Sequence, residues 1–304
     1  MESESDFRKK IKFNTSFNGL EMNQLLENLK NQEELFFVEF NKIVEDYLAE
    51  QPIILPTKKI IEFIQIFSRK KNLETKTTHI ALILLIYYLR KYFQGEIVEV
   101  ENISPVWICL RSLSCLQIAS KRNDVDFLKI EEIQNASVFS FTKKQIEDSE
   151  LKILTTLSFK VNILIPLDFI EIFLYCLKFD FVKENDFFQL CVDINNLIFC
   201  HKTLLVMLCQ TKYSLIGASI ITAASLILNI FNPKLVKILS KLSGYSKLEI
   251  IQISNQVLST ILNPDLAKLY VLPEEKEDLY SSSTSYSSSK ELLSPKHLQK
   301  KKEN

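Results

Sequence analysis

Apolar residues along most of this chain recur at intervals of three and four, and long runs of period-two alternation between turn signals are missing. That rhythm predicts helices over Glu33 to Leu48, Thr57 to Lys71, Thr77 to Phe93, Pro105 to Lys121, Lys129 to Gln134 and Thr142 to Leu157. After a break at Ile165-Pro166 it predicts six more, over Asp168 to Leu177, Asp186 to Phe199, Lys202 to Gln210, Ser214 to Asn229, Pro233 to Leu242 and Ser246 to Leu262. Start signals agree. Ser104-Pro105 and Asn232-Pro233 each read as an N-cap with proline in the first turn, and Thr142 with Gln145 and Ser246 with Glu249 form capping-box patterns. Gly244 stands where a helix should stop.

Each half of the pattern offers about five helices around one strongly apolar helix, Leu110 to Lys121 in the first and Leu215 to Leu228 in the second. Their similar placement suggests a weak internal duplication, with the boundary near Pro166. Tyr213 to Pro233 carries no charge and is long enough for a membrane span. Its Ser214, Gly217, Ser219, Thr222 and Ser225 equally suit a helix enclosed by other helices. Beyond Pro273 an acidic run, a serine-rich stretch and a lysine-rich end replace the apolar rhythm, the composition of a solvated tail.

With 304 residues, 47% of them hydrophobic, the chain has material for two domains, each with its own core. Lys+Arg and Asp+Glu both total 37, so no bulk field favours nucleic acid or an anionic membrane. Six cysteines without a Cys-x-x-Cys pair read as reduced core residues, and the polar start from Met1 to Lys12 shows no secretory signal. The expected location is the nucleus, the cytoplasm or both. Four glycines cannot make a phosphate loop, and nothing is spaced to hold a metal, so no cofactor is expected. His79, ahead of an apolar run, reads as structural. His201 beside Cys200 does not make a catalytic pair, because sequence neighbours on a helix point apart.

One constellation stands out between Leu110 and Phe159. Leu110, Leu113 and Gln117 lead down one helix face to Lys121, and Ile146, Glu150, Ile153, Leu154 and Leu157 share a face of another. Unpaired charges on apolar faces are costly, so Lys121 and Glu150 either pair with each other or meet something from outside. These residues, in this order and spacing, resemble a cyclin box. The resemblance runs from about Pro56 to Leu262, and Tyr213-Ser214-Leu215-Ile216-Gly217-Ala218 with Ser243-Gly244-Tyr245-Ser246 resembles the second cyclin fold.

The resemblance implies an all-α protein of two consecutive five-helix cyclin-box domains, residues 51–163 and 164–265. A helical N-terminal extension (1–50) precedes them and a disordered tail (266–304) follows. It also implies a regulatory subunit, not an enzyme, that forms a heterodimer with a cyclin-dependent protein kinase, without nucleic acid or membrane as partner. Carried over residue by residue, Lys121 and Glu150 form the kinase-facing pair, with Leu110, Ile146 and Phe159 as the apolar residues around them. Where many cyclins have Met-Arg-Ala-Ile-Leu and a partner Asp, this chain has Pro56-Thr57-Lys58-Lys59-Ile60 and Ile86. Both ends of that ion pair are gone together, which strands no buried charge; the lysines put docking of Arg-x-Leu motifs in doubt. In the tail, Ser294-Pro295 is a minimal proline-directed phosphorylation site and Lys302-Glu303-Asn304 spells a degradation triplet that Lys183-Glu184-Asn185 repeats by chance. A cyclin-box protein acting without a kinase is the alternative, with an all-helical scaffold and a membrane protein as further readings.

Overall fold

The computed structural model describes residues 19–45, 54–94, 102–136, 139–178 and 185–262. Every regular element among them is a helix. In chain order they are α1 (Gly19–Glu45), α2 (Lys58–Lys70), α3 (Thr75–Tyr92), α4 (Pro105–Asn123), α5 (Ile130–Ala136) and α6 (Lys143–Thr156). They continue with α7 (Pro166–Cys176), α8 (Asn185–Cys200), α9 (Lys202–Gln210), α10 (Tyr213–Ile227), α11 (Pro233–Ser243) and α12 (Lys247–Ile261).

Local chemistry accounts for most of the boundaries. Thr142 and Gln145 close a capping box at α6, and Ser246 and Glu249 close another at α12. The Asn232 side chain accepts from the Lys234 amide at the start of α11, and Gly244 ends that helix at φ 89°, a conformation glycine adopts without strain. Ser104 does stand at the cap of α4, but its side chain makes no capping bond. Asp168 does the equivalent work at α7, its carboxylate accepting from the Ile165 amide at 2.9 Å.

α1 begins well before the expected Glu33. Met22, Leu26, Glu33 and Phe37 are all buried, at spacings that place them on one stripe. A carboxylate inside the stripe hides the pattern from a reading that expects apolar residues only.

The helices form two groups. In the first, α4 packs against α2, α3 and α6. In the second, α10 packs against α7, α8, α11 and α12. Residues 213–226 of α10 are buried without interruption. Gly217 allows α7 to approach: a Cβ there would lie 3.0 Å from Phe169 Cβ and 3.3 Å from the Pro166 carbonyl. α10 spans about 22 Å against the roughly 30 Å of a bilayer core. No single helix among the described residues is long and apolar enough to cross a membrane.

α3 is as deeply buried as either expected central helix, with every residue from 77 to 90 enclosed. The physical reason is its position between the groups. α2, α4 and α6 cover it from the first group, α1 packs on it, and His79 reaches α8. His79 Nε2 lies 2.7 Å from Asn196 Oδ1, its Nδ1 3.1 Å from Asn195 Nδ2, and its ring stacks on Phe199 at 5.0 Å. It is structural, and it joins the two groups. Lys76 adds a second tie by pairing with Asp168 at 2.6 Å and Glu171 at 3.1 Å on α7. Arg122 makes a third, donating to the carbonyls of Val161 and Ile163 in the connecting strap.

Candidate functional site

Lys121 closes the last turn of α4, directly after nine consecutive buried residues, 112–120. Its stem therefore leaves the core at a fixed point. Glu150 sits on α6, one residue beyond buried Ser149. The ammonium meets both carboxylate oxygens, at 2.7 and 2.8 Å. The side chains keep 38% and 17% of their exposure, so the pair is accessible rather than sealed. An ammonium has three donors and a carboxylate about four lone-pair positions. One N–H and several acceptor positions remain for groups outside the molecule.

The face of α6 that enters the core is Ile146, Ser149, Ile153 and Leu157, all 0 or 1% exposed. Glu150 flanks that stripe instead of interrupting it. Ile146 is thus wholly enclosed, a core residue rather than a surface one, while Leu110 is half-buried. Phe159 differs from a core residue. It is 61% exposed, at φ 60°, after Ser158 at φ 52°. The Phe159 amide donates to the Leu154 carbonyl at 2.7 Å, which folds the end of α6 into a tight turn. Two successive left-handed residues other than glycine are uncommon, and the turn aims an aromatic ring at solvent. Leu151, next to Glu150 in sequence, and Val125 and Phe127, a few residues after Lys121, are also exposed.

Lys58, which stands in the divergent segment of α2, is exposed and lies 3.7 Å from Glu62, whereas Ile86 is buried in α3. Thr57, which stands at the position of the missing arginine, is half-buried at the cap of α2. Ser294, Lys302, Glu303 and Asn304 lie outside the described residues, as does the whole tail segment.

No group of three His, Cys, Asp or Glu residues among the described residues could hold a metal ion. All six cysteines are free; burial pushes the thiols of Cys115 and Cys191 strongly upward and that of Cys209 to about 11. Such thiols are poor nucleophiles. His79, held down to about 4 by burial, is enclosed on every side.

Glu33 escapes a reading of the sequence. It is 2% exposed, yet its carboxylate accepts from the Ser214 amide at 2.7 Å and from the Ser214 hydroxyl at 2.5 Å. A residue of α1 thereby caps α10, the helix whose own cap residue, Lys212, supplies none. Burial raises its pKa above the usual carboxylate range despite the hydrogen bonds from Ser214. Lys212 pairs in turn with Glu34, and Phe37 packs on Tyr213 with ring centroids 5.1 Å apart. Only the partners' positions, 181 residues on, give Glu33 its meaning.

A helical group built around α4, with a charged pair at the junction of α4 and α6 and a second group behind it, is the architecture of a cyclin box. The family model described as "Cyclin, N-terminal domain" matches residues 24–162, so this segment is similar to the N-terminal cyclin domain. Over 135 residues it is 26% identical to the Cyclin-J-like protein of Mus musculus; the match covers 42% of this chain and 33% of that protein, so it spans about a third of the relative's length. The X-ray structure of a viral cyclin from herpesvirus saimiri superposes with a TM-score of 0.60 at 17% identity, covering 78% of this chain and 98% of the viral one. That likeness extends the fold beyond residues 24–162 into the second group of helices.

Proposed function

We propose that this chain is a regulatory subunit that docks on a cyclin-dependent protein kinase and raises its activity by holding a mobile helix of the kinase in its active position. The observation that carries the reading is the ion pair of Lys121 and Glu150, accessible at the junction of α4 and α6 with spare donor and acceptor capacity. A rigid surface of this kind binds a partner's backbone and apolar side chains together. Activation then needs no chemistry from this chain. It needs only that the surface bind the active arrangement of the kinase more tightly than the inactive one. The nucleus or cytoplasm is the proposed location.

The closed, two-pronged geometry of the pair favours a second reading, an internal brace between α4 and α6. One experiment separates the two. Purified chain is used to capture kinase from a lysate, followed by a histone kinase assay, and compared with the double variant Lys121→Ala, Glu150→Ala. A partly exposed ion pair contributes roughly 0 to 1 kcal/mol to stability. The docking reading therefore expects a folded, helical variant that captures no kinase. A variant that unfolds, or one that captures kinase as well as the parent, overturns it.

A further inference from the structure

A cleft of about 170 Å³ opens between α1, α3 and α7. Met22, Leu25 and Leu29 form one wall, Ile172 and Tyr175 the other, and Lys76, Asp168 and Glu171 supply its only charges. The volume is that of a single long side chain, too small for a helix or a nucleotide. Its lining is mostly apolar, and the charges do not balance within it. Lys76 is one cation shared between two carboxylates, Asp168 Oδ1 at 2.6 Å and Glu171 Oε2 at 3.1 Å. The second oxygen of Asp168 is taken by the Ile165 amide. Arg122 attracts Asp168 as well but does not line the cleft, and Glu171 also feels the repulsion of Glu74. Glu171 Oε2 meets the shared Lys76, which leaves its Oε1 as an acceptor at the cleft.

We propose that this cleft binds the lysine or arginine side chain of a segment from a partner protein, its aliphatic stem along Met22, Leu25, Leu29 and Ile172 and its cationic head on Glu171. Long cationic side chains have this form, an apolar stem with a charged tip, and a carboxylate held in an apolar wall recognises the tip more strongly than one in water. Leu25, 42% exposed at the rim, gives the segment's neighbouring apolar residue a place to rest. Burial raises the Glu171 pKa above the usual range even with Lys76 beside it. Neither Lys121 nor Glu150 lines the cleft.

Methionine methyl groups read the cleft directly. The chain has three methionines, Met1, Met22 and Met207; Met22 lines the cleft, and Met207, buried in α9, serves as an internal reference. In the full chain labelled with ¹³C at the methionine methyls, titration with acetyl-Leu-Arg-Leu-amide should move the Met22 signal saturably and leave Met207 in place. Acetyl-Leu-Glu-Leu-amide should produce no saturating shift. Glu171→Gln should weaken the arginine peptide about tenfold, the effect of one lost charge-assisted hydrogen bond, and Leu25→Ala, at a partly exposed site, should weaken it with the Met207 signal unchanged. Equal responses to both peptides, or no response at Met22 in the parent chain, overturn the proposal. A Met22 signal that moves on dilution of the protein alone shows a second copy in the cleft and overturns it too.

Discussion

The hydroxyl oxygens of Ser114 on α4 and Ser149 on α6 lie 2.7 Å apart inside the core, 35 residues apart in sequence. Ser219 on α10 and Ser254 on α12 repeat the relationship in the second group, with the Ser254 hydroxyl donating to the Ser219 carbonyl at 3.0 Å across the same interval of 35 residues. In both groups the central helix and the last helix cross where serines let their backbones approach. The duplication that is faint in the sequence thus takes physical form as two equivalent crossings. Ser149→Ala should cost about 1 kcal/mol, the value of one buried hydrogen bond, while Ser149→Leu should cost about 1 to 3 kcal/mol by forcing α6 from α4. Urea denaturation of the two variants distinguishes loss of the bond from loss of the close approach.

Gly217 presents two opposed effects. Replacing it with alanine gains about 1 kcal/mol of helix propensity, but the added methyl meets Phe169 Cβ at 3.0 Å and backbone atoms of Pro166 and Ile170 at 3.3 and 3.4 Å. Neither backbone atoms nor a Cβ can swing aside. Overpacking at roughly 1 to 3 kcal/mol should win, so Gly217→Ala lowers the midpoint of thermal unfolding, and a rise would show that α7 moves freely.

Glu33 should be among the most sensitive positions of α1. Glu33→Ala leaves the Ser214 amide and hydroxyl without their acceptor and should destabilise the fold by about 1 to 3 kcal/mol. Glu33→Gln, which keeps an acceptor oxygen, should recover part of that. Comparison of the two by urea denaturation tests whether the carboxylate acts as a cap or merely fills space.

Acid should weaken the protein through His79. Its imidazole is neutral in the fold down to about 4, whereas the unfolded chain protonates near 6.5. Between those values the unfolded state binds the extra proton, so stability is complete above pH 6.5 and falls as pH drops toward 4, by up to about 3 kcal/mol. Glu33 and Glu171, whose pKa values are raised in the fold, oppose the trend. The His79→Gln variant isolates the effect: over that window its stability should change less with pH than the parent's.

The helices were legible because caps and prolines are local: Thr142, Asn232, Gly244 and Ser246 each act within a few residues of themselves. Lys121 and Glu150 were legible as candidates because each ends or flanks an apolar face. The outward ring of Phe159 was not legible, since only the left-handed turn at Ser158 and Phe159 turns it to solvent. Glu33 and Lys76 were invisible for another reason. Their partners are 181 and about 92 to 95 positions away, and no periodicity encodes a contact between helices that meet only after folding.

Glu33 lies within the segment that matches the cyclin N-terminal domain, and Ser214 lies beyond it. The border of sequence similarity and the border of mechanical independence therefore do not coincide. A fragment cut at residue 162 would carry an acidic side chain with its docking point amputated, and a fragment from 163 onward would start its innermost helix with bare amide groups. The two groups can vary separately only while this handshake and the ties made by His79 and Lys76 are kept.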